Sequence, residues 1–263
     1  MPLFHRQLIA TLLFACLSLA ALGQPLRIVS EAWPPYIHED NGVLRGLDYE
    51  AAQTVLQRLG VEVEWQLLPW RRCLMAMEQG QADGILGIFR TPEREASMLF
   101  AREPLSQVEL VLFYAKANPH PFHRLADLHG LKIGVSAGYW YSDRAFREST
   151  LFTREPAPNH AANFGKLVRK RVDLVINDRR GGHFVLAQTG LDKHVRQHPR
   201  VISRDRLYLA LRRNAGFAAL ARRFANELRR FKREPAYAAL QARYKTPAHA
   251  RLAVRPENQT ANH

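Results

Sequence analysis

Apolar strands and amphipathic helices alternate along this chain, and glycine residues mark where the helices end. Apolar residues recur about every fourth position over 47–59, which predicts a helix that buries one face and ends at Gly60. Alternating apolar residues over 61–65 predict a strand. A second helix that ends at Gly80 and a buried strand at 85–88 repeat this order. The alternation is typical of an α/β fold with a parallel sheet.

The same order continues further along the sequence. A long apolar strand over 108–116 comes first, and strands at 132–135 and 172–176 each lead into a helix. The alternating segment 206–213 predicts a further strand before a long helix with an apolar stripe. A chain of 263 residues is too long for one small domain, so we expect two lobes. Residues 247–263 are polar and without a period, which predicts a disordered tail.

Residues 1–23 have the pattern of an export signal. A short basic region with Arg6 is followed by an apolar stretch over 8–19, and Ala21 and Gly23 are small residues suited to cleavage. A membrane anchor is the alternative, but the apolar stretch is shorter than the roughly 20 residues of a spanning helix. We therefore expect a cleaved signal peptide and a periplasmic protein.

The cysteine content is consistent with export to the periplasm. Cys16 lies inside the signal, where lipid attachment is the minor alternative because Phe14 is bulky for such a site. Cys73 is then the only cysteine of the exported chain and has no partner for an intrachain disulfide, which suits a bacterial protein held together by its core. We expect Cys73 to be a buried, inert thiol, and Met75 and Met77 to belong to the core.

The chain is strongly basic, with a formal net charge of +14 at pH 7. Such an excess favours nucleic acid, anionic lipid or acidic solutes as partners. The predicted export argues against nucleic acid, and basic runs such as "ELRRFKRE" are expected to be solvated helix faces. The sequence has no metal-binding spacing, dinucleotide fingerprint, phosphate-binding loop or serine elbow, so we expect no cofactor and no metal.

The segment "GIFRTPEREASMLF" at 87–100 leads from a predicted strand into a helix. Thr91 suits the N-cap, Pro92 suits the first helical position, and Glu93 complements the positive end of the helix. Arg94 has the wrong charge for the first turn. We therefore expect Arg94 to face an anion.

Polar and aromatic residues follow three of the predicted strands. In open α/β sheets, ligands bind beyond the carboxyl ends of the strands. Arg94, the pair Tyr139 and Trp140, and Asp178 all follow strands, and the backbone N–H groups of the pair are expected to enter a helix. An arginine fork binds a carboxylate and an aspartate can hold an ammonium, so the set predicts a clamp for a zwitterion. The alternatives are a local ion pair for Arg94 and a simple N-cap role for Asp178.

Two tryptophans and a second arginine add to this candidate site. Trp33 follows the first strand and Trp70 opens a helix. Aromatic walls exclude water from the apolar part of a ligand and stack on planar or cationic groups, although core packing is an equal alternative for each tryptophan. Arg90 is most simply solvent-facing, yet it lies close enough to Arg94 to matter.

Four segments, taken in order, resemble the extracellular solute-binding proteins of family 3, the polar amino-acid-binding components of bacterial ABC importers. They are "LRIVSEAWPPYIHEDNGVLRGLDYEAAQTVLQRLGVEVEW", "PWRRCLMAMEQGQADGILGIFRTPERE", "LADLHGLKIGVSAGYWY" and "KRVDLVIND". The resemblance runs from about Leu26 to Tyr244. It implies a periplasmic-binding-protein type II fold with two α/β lobes, a ligand cleft between them and two hinge crossovers. Lobe 1 would comprise 24–106 and 208–246, and lobe 2 would comprise 107–207.

The resemblance also implies roles for individual residues. Arg94 matches the carboxylate-binding arginine, and Asp178 matches the acid that holds the α-ammonium. The remaining matches are the aromatic walls Trp33 and Trp70 and the backbone-donating segments 87–90, with Phe89 and Arg90, and 139–141, with Tyr139 and Trp140.

Some positions depart from the family pattern. Phe89 and Arg90 stand where many relatives have small or hydroxyl residues. Ser30 stands where binders of cationic amino acids often place an acid, with Glu31 next to it as a further candidate site residue. A lysine or arginine ligand therefore loses support, and an anionic small molecule gains support if Arg90 faces the cleft.

The function implied by the resemblance is periplasmic solute binding. The protein would capture an amino acid or related small carboxylate by hinge closure and deliver it to an inner-membrane ABC permease, as a monomer and without catalysis. A cyclohexadienyl or arogenate dehydratase-like enzyme on the same fold and a ligand-sensing partner of a membrane receptor are the alternatives. Glu31 and Asp178 both have binding or capping roles, so the sequence identifies no separate general acid.

Overall fold

The computed structural model describes residues 24–245 of the chain. The predicted signal peptide at 1–23, including Cys16, and the predicted tail at 247–263 lie outside the described residues. Within 24–245, no helix is long and apolar enough to cross a membrane.

The strands form one large mixed sheet and a short hairpin. They are β1 Leu26–Ser30, β2 His38–Asp40, β3 Val43–Arg45, β4 Val63–Leu67, β5 Gly84–Phe89, β6 Met98–Phe100, β7 Ser106–Ala115, β8 Lys132–Ser136, β9 Thr153–Ala157, β10 Leu174–Asp178 and β11 Val195–Arg212. The order in the large sheet is β4-β1-β5-β11-β7-β10-β8-β9, with β6 also paired to β11. Strands β2 and β3 form the hairpin.

Helices connect the strands. They are α1 Leu47–Arg58, α2 Trp70–Glu78, α3 Pro92–Ser97, α4 Arg144–Glu148, α5 His160–Val168, α6 Arg179–Gln188, α7 Ala218–Phe231 and α8 Pro235–Arg243. Gly60 follows the end of α1 and Gly80 follows the end of α2, with φ angles of 69° and 72°. Because glycine adopts this left-handed region without strain, both predicted helix ends are confirmed.

Two long antiparallel strands join the two parallel parts of the large sheet. Strand β1 pairs in parallel with β4 and β5, and β8 pairs in parallel with β9 and β10. Between them, β11 pairs with β7 over 195–207 and with β5 over 207–211. We call β1–β6 with α1–α3, α7 and α8 the first half, and β8–β10 with α4–α6 the second half. The predicted parallel pairing holds among β1, β4 and β5 and among β8, β9 and β10. Strands β7 and β11 are antiparallel because they cross between the halves in opposite directions.

Each half has its own apolar core. In the first half, Ile28, Leu56 and Phe224 from β1, α1 and α7 belong to one buried cluster. On the second-half side, Phe113 and Phe164 pack edge to face with ring centroids 5.1 Å apart. Separate cores allow the halves to move as rigid bodies about β7 and β11. The lobe boundaries given by the resemblance stay a prediction.

Two local expectations are wrong. The helix expected from about residue 142 begins at Arg144, because Asp143 accepts a hydrogen bond from the backbone N–H of Phe146 at 2.6 Å and acts as the N-cap. Met75, expected in the core, is 51% exposed. Its neighbour Cys73 is fully buried as predicted, and burial raises the pKa of its thiol to about 12.

Candidate ligand-binding cleft

A small, partly open cavity lies where the first half meets the second half. Its volume is about 10 Å³, which is room for about one water molecule. A ligand can therefore enter only when the halves separate or the lining side chains move. The lining residues are Trp33, Trp70, Gly87, Phe89, Arg94, Tyr139 and Trp140.

Arg94 lies in α3, and its half-buried side chain borders this cavity. Its guanidinium Nη1 donates to the carbonyl oxygen of Phe89 at 2.8 Å, and its central carbon lies 5.7 Å from the centre of the Trp70 ring. No carboxylate among residues 24–245 forms an ion pair with it; the neighbouring Glu95 pairs with Arg90 instead. Burial lowers the pKa of Arg94. The neighbouring carboxylate of Glu93 opposes this shift but does not form a salt bridge with Arg94. The guanidinium is thus a partly desolvated cation without a salt bridge among residues 24–245.

Thr91 fixes the start of the helix that carries Arg94. Its Oγ1 accepts a hydrogen bond from the backbone N–H of Arg94 at 3.3 Å, and Pro92 takes the first helical position. Both features of the predicted helix start are confirmed.

The variant Thr91→Ala is expected to have a free energy of unfolding about 1 kcal/mol lower than Thr91→Ser. Both variants lose the methyl group of the buried threonine, but only serine keeps the capping oxygen. Urea unfolding followed by circular dichroism measures the difference. Equal stability of the two variants would contradict the capping role.

Arg90 pairs with a residue of its own segment. Its Nε donates to Glu95 Oε1 at 2.6 Å, and its side chain is 47% exposed. It borders an open groove of about 530 Å³, to which Arg204 and Arg206 also contribute. The groove shares Phe89 and Trp140 with the lining of the cavity. The structure therefore places Arg90 at the rim, outside the lining of the cavity.

Asp178 ends β10 and is almost completely buried, at 1% exposure. Its Oδ2 accepts hydrogen bonds from the backbone N–H of Gly181 at 2.7 Å and from the phenol of Tyr36 at 3.0 Å. Its Oδ1 accepts the backbone N–H of Glu109 at 3.3 Å. Burial raises the pKa of Asp178 to about 6, and these hydrogen bonds oppose the rise. The carboxylate caps α6, as the simpler alternative proposed, and it does not line the cavity.

Tyr36 and Trp33 cover Asp178 from the first half. Tyr36 is 1% exposed and belongs to a cluster with Trp33, Val108 and Leu207. A Cβ atom at Gly181 would lie 2.8 Å from Trp33 Nε1, which shows how closely the indole approaches the start of α6. Trp33 Nε1 is a buried donor without a hydrogen-bond acceptor among residues 24–245. Trp33 is therefore both a wall of the cavity and a lid on Asp178.

Glu31 lies in a buried polar network that crosses between the halves. The phenol of Tyr139 donates to Glu31 Oε2 at 2.7 Å and lies 3.2 Å from His160 Nε2. Asn177 Nδ2 lies 3.2 Å from His160 Nδ1, which assigns the proton of the ring to Nε2. Burial raises the pKa of Glu31 to about 7, against the hydrogen bond from Tyr139, and lowers the pKa of His160 to about 4.

The segment with Tyr139 and Trp140 is a loop, not the start of a helix as expected. Tyr139 contributes its phenol to the network, and Trp140 packs against the guanidinium of Arg147 at 4.2 Å from its ring centre. Trp70 Nε1 donates to the carbonyl oxygen of Gly138 at 3.2 Å, from the first half to the second. The cleft is consequently closed by contacts of Trp70 and Tyr139 that cross between the halves.

Three residues of this site were missed in the sequence. Tyr36 stands in "WPPY", which reads as a turn, and His160 is the first residue of α5. Asn177 had a usable signal, because it is polar at the end of an apolar strand, directly before Asp178.

Similarity to solved structures establishes the fold. A histidine kinase sensor domain with similarity to periplasmic binding proteins is 21% identical, with a TM-score of 0.74 over 84% of this chain and 96% of that chain. An ancestral arginine-binding protein bound to arginine is 24% identical, with a TM-score of 0.74 over 84% and 98%. An ancestral amino-acid-binding protein, a precursor of cyclohexadienyl dehydratase, is 23% identical, with a TM-score of 0.71 over 84% and 96%. The predicted periplasmic-binding-protein type II fold is confirmed.

Family membership follows from the sequence itself. A search of curated protein sequences finds no match. The family model for bacterial extracellular solute-binding proteins, family 3, matches residues 26–247. Because this match spans nearly all of the chain beyond the predicted signal, the chain belongs to the bacterial extracellular solute-binding proteins of family 3.

Proposed function

We propose that this protein captures an amino acid or related small carboxylate between its two halves and delivers it, in the bacterial periplasm, to an inner-membrane ABC permease. The observation that carries the proposal is Arg94. Its guanidinium borders the interlobe cavity, is half-buried, and has no carboxylate partner among the described residues. A carboxylate of the ligand would supply that partner.

The surroundings of Arg94 strengthen such a contact. Charge-assisted hydrogen bonds between a guanidinium and a carboxylate are stronger where water is excluded. Trp33, Trp70 and Tyr139 supply aromatic walls on three sides, with ring centroids of Trp33 and Tyr139 5.6 Å apart and of Trp70 and Tyr139 5.8 Å apart. These walls suit the apolar part of a small ligand.

The two connecting strands provide a hinge that would let the cleft open and close around a ligand. Strands β7 and β11 join halves that have separate cores, so the halves can open and close as rigid bodies. A ligand that contacts both halves stabilises the closed state by its difference in affinity for the closed and open states. The same cleft and hinge would also serve a ligand-sensing partner of a membrane receptor.

Isothermal titration calorimetry of the chain from residue 24 tests the proposal. The panel contains the common amino acids, their deaminated analogues, small dicarboxylates, prephenate and arogenate. At least one compound is expected to bind with one-to-one stoichiometry, and X-ray scattering is expected to show a change in the population of closed molecules. A folded protein that binds no member of the panel would contradict the proposal.

Dehydratase-like chemistry is a second candidate, and one observation favours it. Glu31 is a buried carboxyl beside the cleft whose pKa is raised to about 7, so it holds a proton near neutral pH as a general acid must. Tyr139 stands between this carboxyl and the cavity. Prephenate and arogenate are therefore also assayed for aromatic product, and product that disappears in Glu31→Gln would favour the enzyme.

A further inference from the structure

The polar groups at the meeting of the two halves divide into occupied acceptors and unoccupied donors. An amino acid needs both kinds, because its carboxylate accepts hydrogen bonds and its ammonium donates them. The acids that the sequence placed here are Asp178 and Glu31. The donors are the Arg94 guanidinium and the Trp33 indole N–H.

Three of the roughly four acceptor positions of the Asp178 carboxylate are already occupied, including both on Oδ2. Its two oxygens accept three hydrogen bonds, from Gly181 and Glu109 of the backbone and from the Tyr36 phenol. The phenol takes the place on Oδ2 that a ligand ammonium would need. At 1% exposure, and with Trp33 over the start of α6, the carboxylate is also covered, so a ligand reaches it only if the Trp33 indole moves.

The contact between Tyr36 and Asp178 lies at the hinge. Tyr36 packs against Val108 of β7 and Leu207 of β11, where the two connecting strands pass each other. Asp178 itself is paired with Leu110 of β7. Rotation of rigid halves moves atoms near the axis least, so opening of the cleft should leave this hydrogen bond in place.

The carboxyl group of Glu31 is likewise already engaged by a tyrosine phenol. The Tyr139 phenol donates to its Oε2 at 2.7 Å, and Tyr139 rather than Glu31 lines the cavity. The carboxyl is 8% exposed. Its raised pKa shows that the site favours the neutral form, which pairs poorly with a cation.

The hydrogen-bond donors at the cavity, unlike these two carboxyl groups, still lack carboxylate partners in the described part of the chain. Arg94 donates to the carbonyl oxygen of Phe89 through Nη1, and its other N–H groups have no carboxylate partner among residues 24–245. Trp33 Nε1 is buried and has no acceptor in the same residues. Trp33 Nε1 lies against Gly181 at the start of α6, so the donor that a ligand meets first is Arg94. A partly buried guanidinium without a salt bridge favours a ligand that brings oxygen atoms.

We propose that the cleft selects a small carboxylate that lacks an α-ammonium group, with Tyr36 as the residue that excludes the ammonium by occupying Asp178. This inference rests on the proposed function, because it assumes that a small carboxylate binds at Arg94. An α-amino acid would bury its ammonium among aromatic rings without a free acid. Cation–π contact with the rings offsets only part of the cost of a buried charge that has no ion pair. The ligand class is then alkyl or aryl carboxylic acids and their dicarboxylate relatives.

Matched ligand pairs test the selection by calorimetry. The pairs are 3-phenylpropanoate with L-phenylalanine, 4-methylpentanoate with L-leucine, and glutarate with L-glutamate, and each pair differs only in the ammonium group. In every pair that binds, the deaminated member is expected to bind roughly ten- to a hundredfold more tightly. Arg94→Ala is expected to weaken both members.

The outcomes separate this inference from the proposed function. An amino acid that binds as tightly as its analogue, or more tightly, overturns the inference and leaves carboxylate capture intact. If no pair and no other compound of the larger panel binds to the folded protein, the proposed function fails and the inference fails with it.

Tyr36→Phe tests the role of the phenol directly. Removing the hydroxyl frees Asp178 Oδ2 without changing the size of the ring, so the affinity for the amino acid relative to its analogue is expected to rise by about threefold or more. The gain requires the charge of Asp178 and should disappear in the double variant Tyr36→Phe/Asp178→Asn, in which asparagine keeps the N-cap. Circular dichroism checks that both variants fold. An unchanged affinity ratio in Tyr36→Phe would overturn the assignment of Tyr36 as the excluding residue.

Discussion

Replacing Arg94 with alanine is expected to weaken binding of the best carboxylate ligand by about 10- to 150-fold, or 1.5 to 3 kcal/mol. The guanidinium is the unpaired cation that borders the cavity, and its loss leaves the ligand carboxylate in an aromatic pocket without a charged partner. Arg94→Lys keeps the charge but loses the planar fork, so an intermediate loss is expected. Calorimetry with the tightest ligand of the panel measures all three proteins.

Arg90→Ala is the matched control for this experiment. Arg90 lies four positions before Arg94, carries the same group, and holds Glu95 at an exposed rim. A surface ion pair of this kind contributes about 0 to 1 kcal/mol, so its removal should change ligand affinity by less than about threefold. If Arg90→Ala loses as much affinity as Arg94→Ala, the ligand carboxylate binds at the rim. If Arg94→Ala loses none, the proposed site is wrong.

The helix start and the strand ends that form the site were predictable because they depend on neighbouring residues in the sequence. The cap by Thr91, the proline at the first helical position and the placement of Arg94 beyond a buried strand all depend on residues within one segment. Strand ends could be read from apolar runs, which brought Trp33, Arg94 and Tyr139 to one place in the expected fold. The cavity lining agrees with that placement.

The contacts that fill the cleft were not predictable because they join residues far apart in the sequence. Tyr36 and Asp178 are separated by 142 positions. A local bridge between Trp33 and Ile37 turns the "WPPY" segment back on itself and buries Tyr36. No periodicity reports such a bend. The choice between capping and ligand binding for Asp178 thus depended on a phenol from the other half.

Asp48 is a second buried carboxyl group, and burying its ionised form lowers the stability of the folded protein by a measurable amount. It lies in the first turn of α1 at 1% exposure, where Oδ2 accepts a hydrogen bond from Ser106 Oγ at 2.9 Å. Its Oδ1 is buried and has no partner among residues 24–245. Burial raises the pKa of Asp48 to about 7, and the hydrogen bond from Ser106 and the charges of Lys232 and Arg180 oppose the rise.

Asp48→Asn is therefore expected to stabilise the protein at alkaline pH. The folded state holds the proton of Asp48 more tightly than the unfolded chain, whose pKa is about 3.9, so the contribution of Asp48 to stability falls as pH rises from about 4 to about 7. Above pH 7 the loss is complete, and the neutral asparagine avoids it. We expect a gain on the order of 2 to 4 kcal/mol in the free energy of unfolding at pH 8, shrinking toward zero near pH 3.

Asp83→Asn is the control, because its effect on the free energy of unfolding at pH 8 is expected to have the opposite sign. Burial disfavours the charge of Asp83, but hydrogen bonds and ion pairs with Arg27 and Arg212, at 3.3 and 3.1 Å, outweigh it and lower the pKa. The stability that these contacts contribute is present above the unfolded pKa and is lost as pH falls through the folded pKa. Urea unfolding at pH 3.5, 6 and 8 should therefore show Asp83→Asn less stable than wild type at pH 8 while Asp48→Asn is more stable. Destabilisation by both substitutions at pH 8 would mean that the attraction of Asp48 to Lys232 and Arg180 outweighs its burial, and the assignment of Asp48 as a costly buried carboxylate would be wrong.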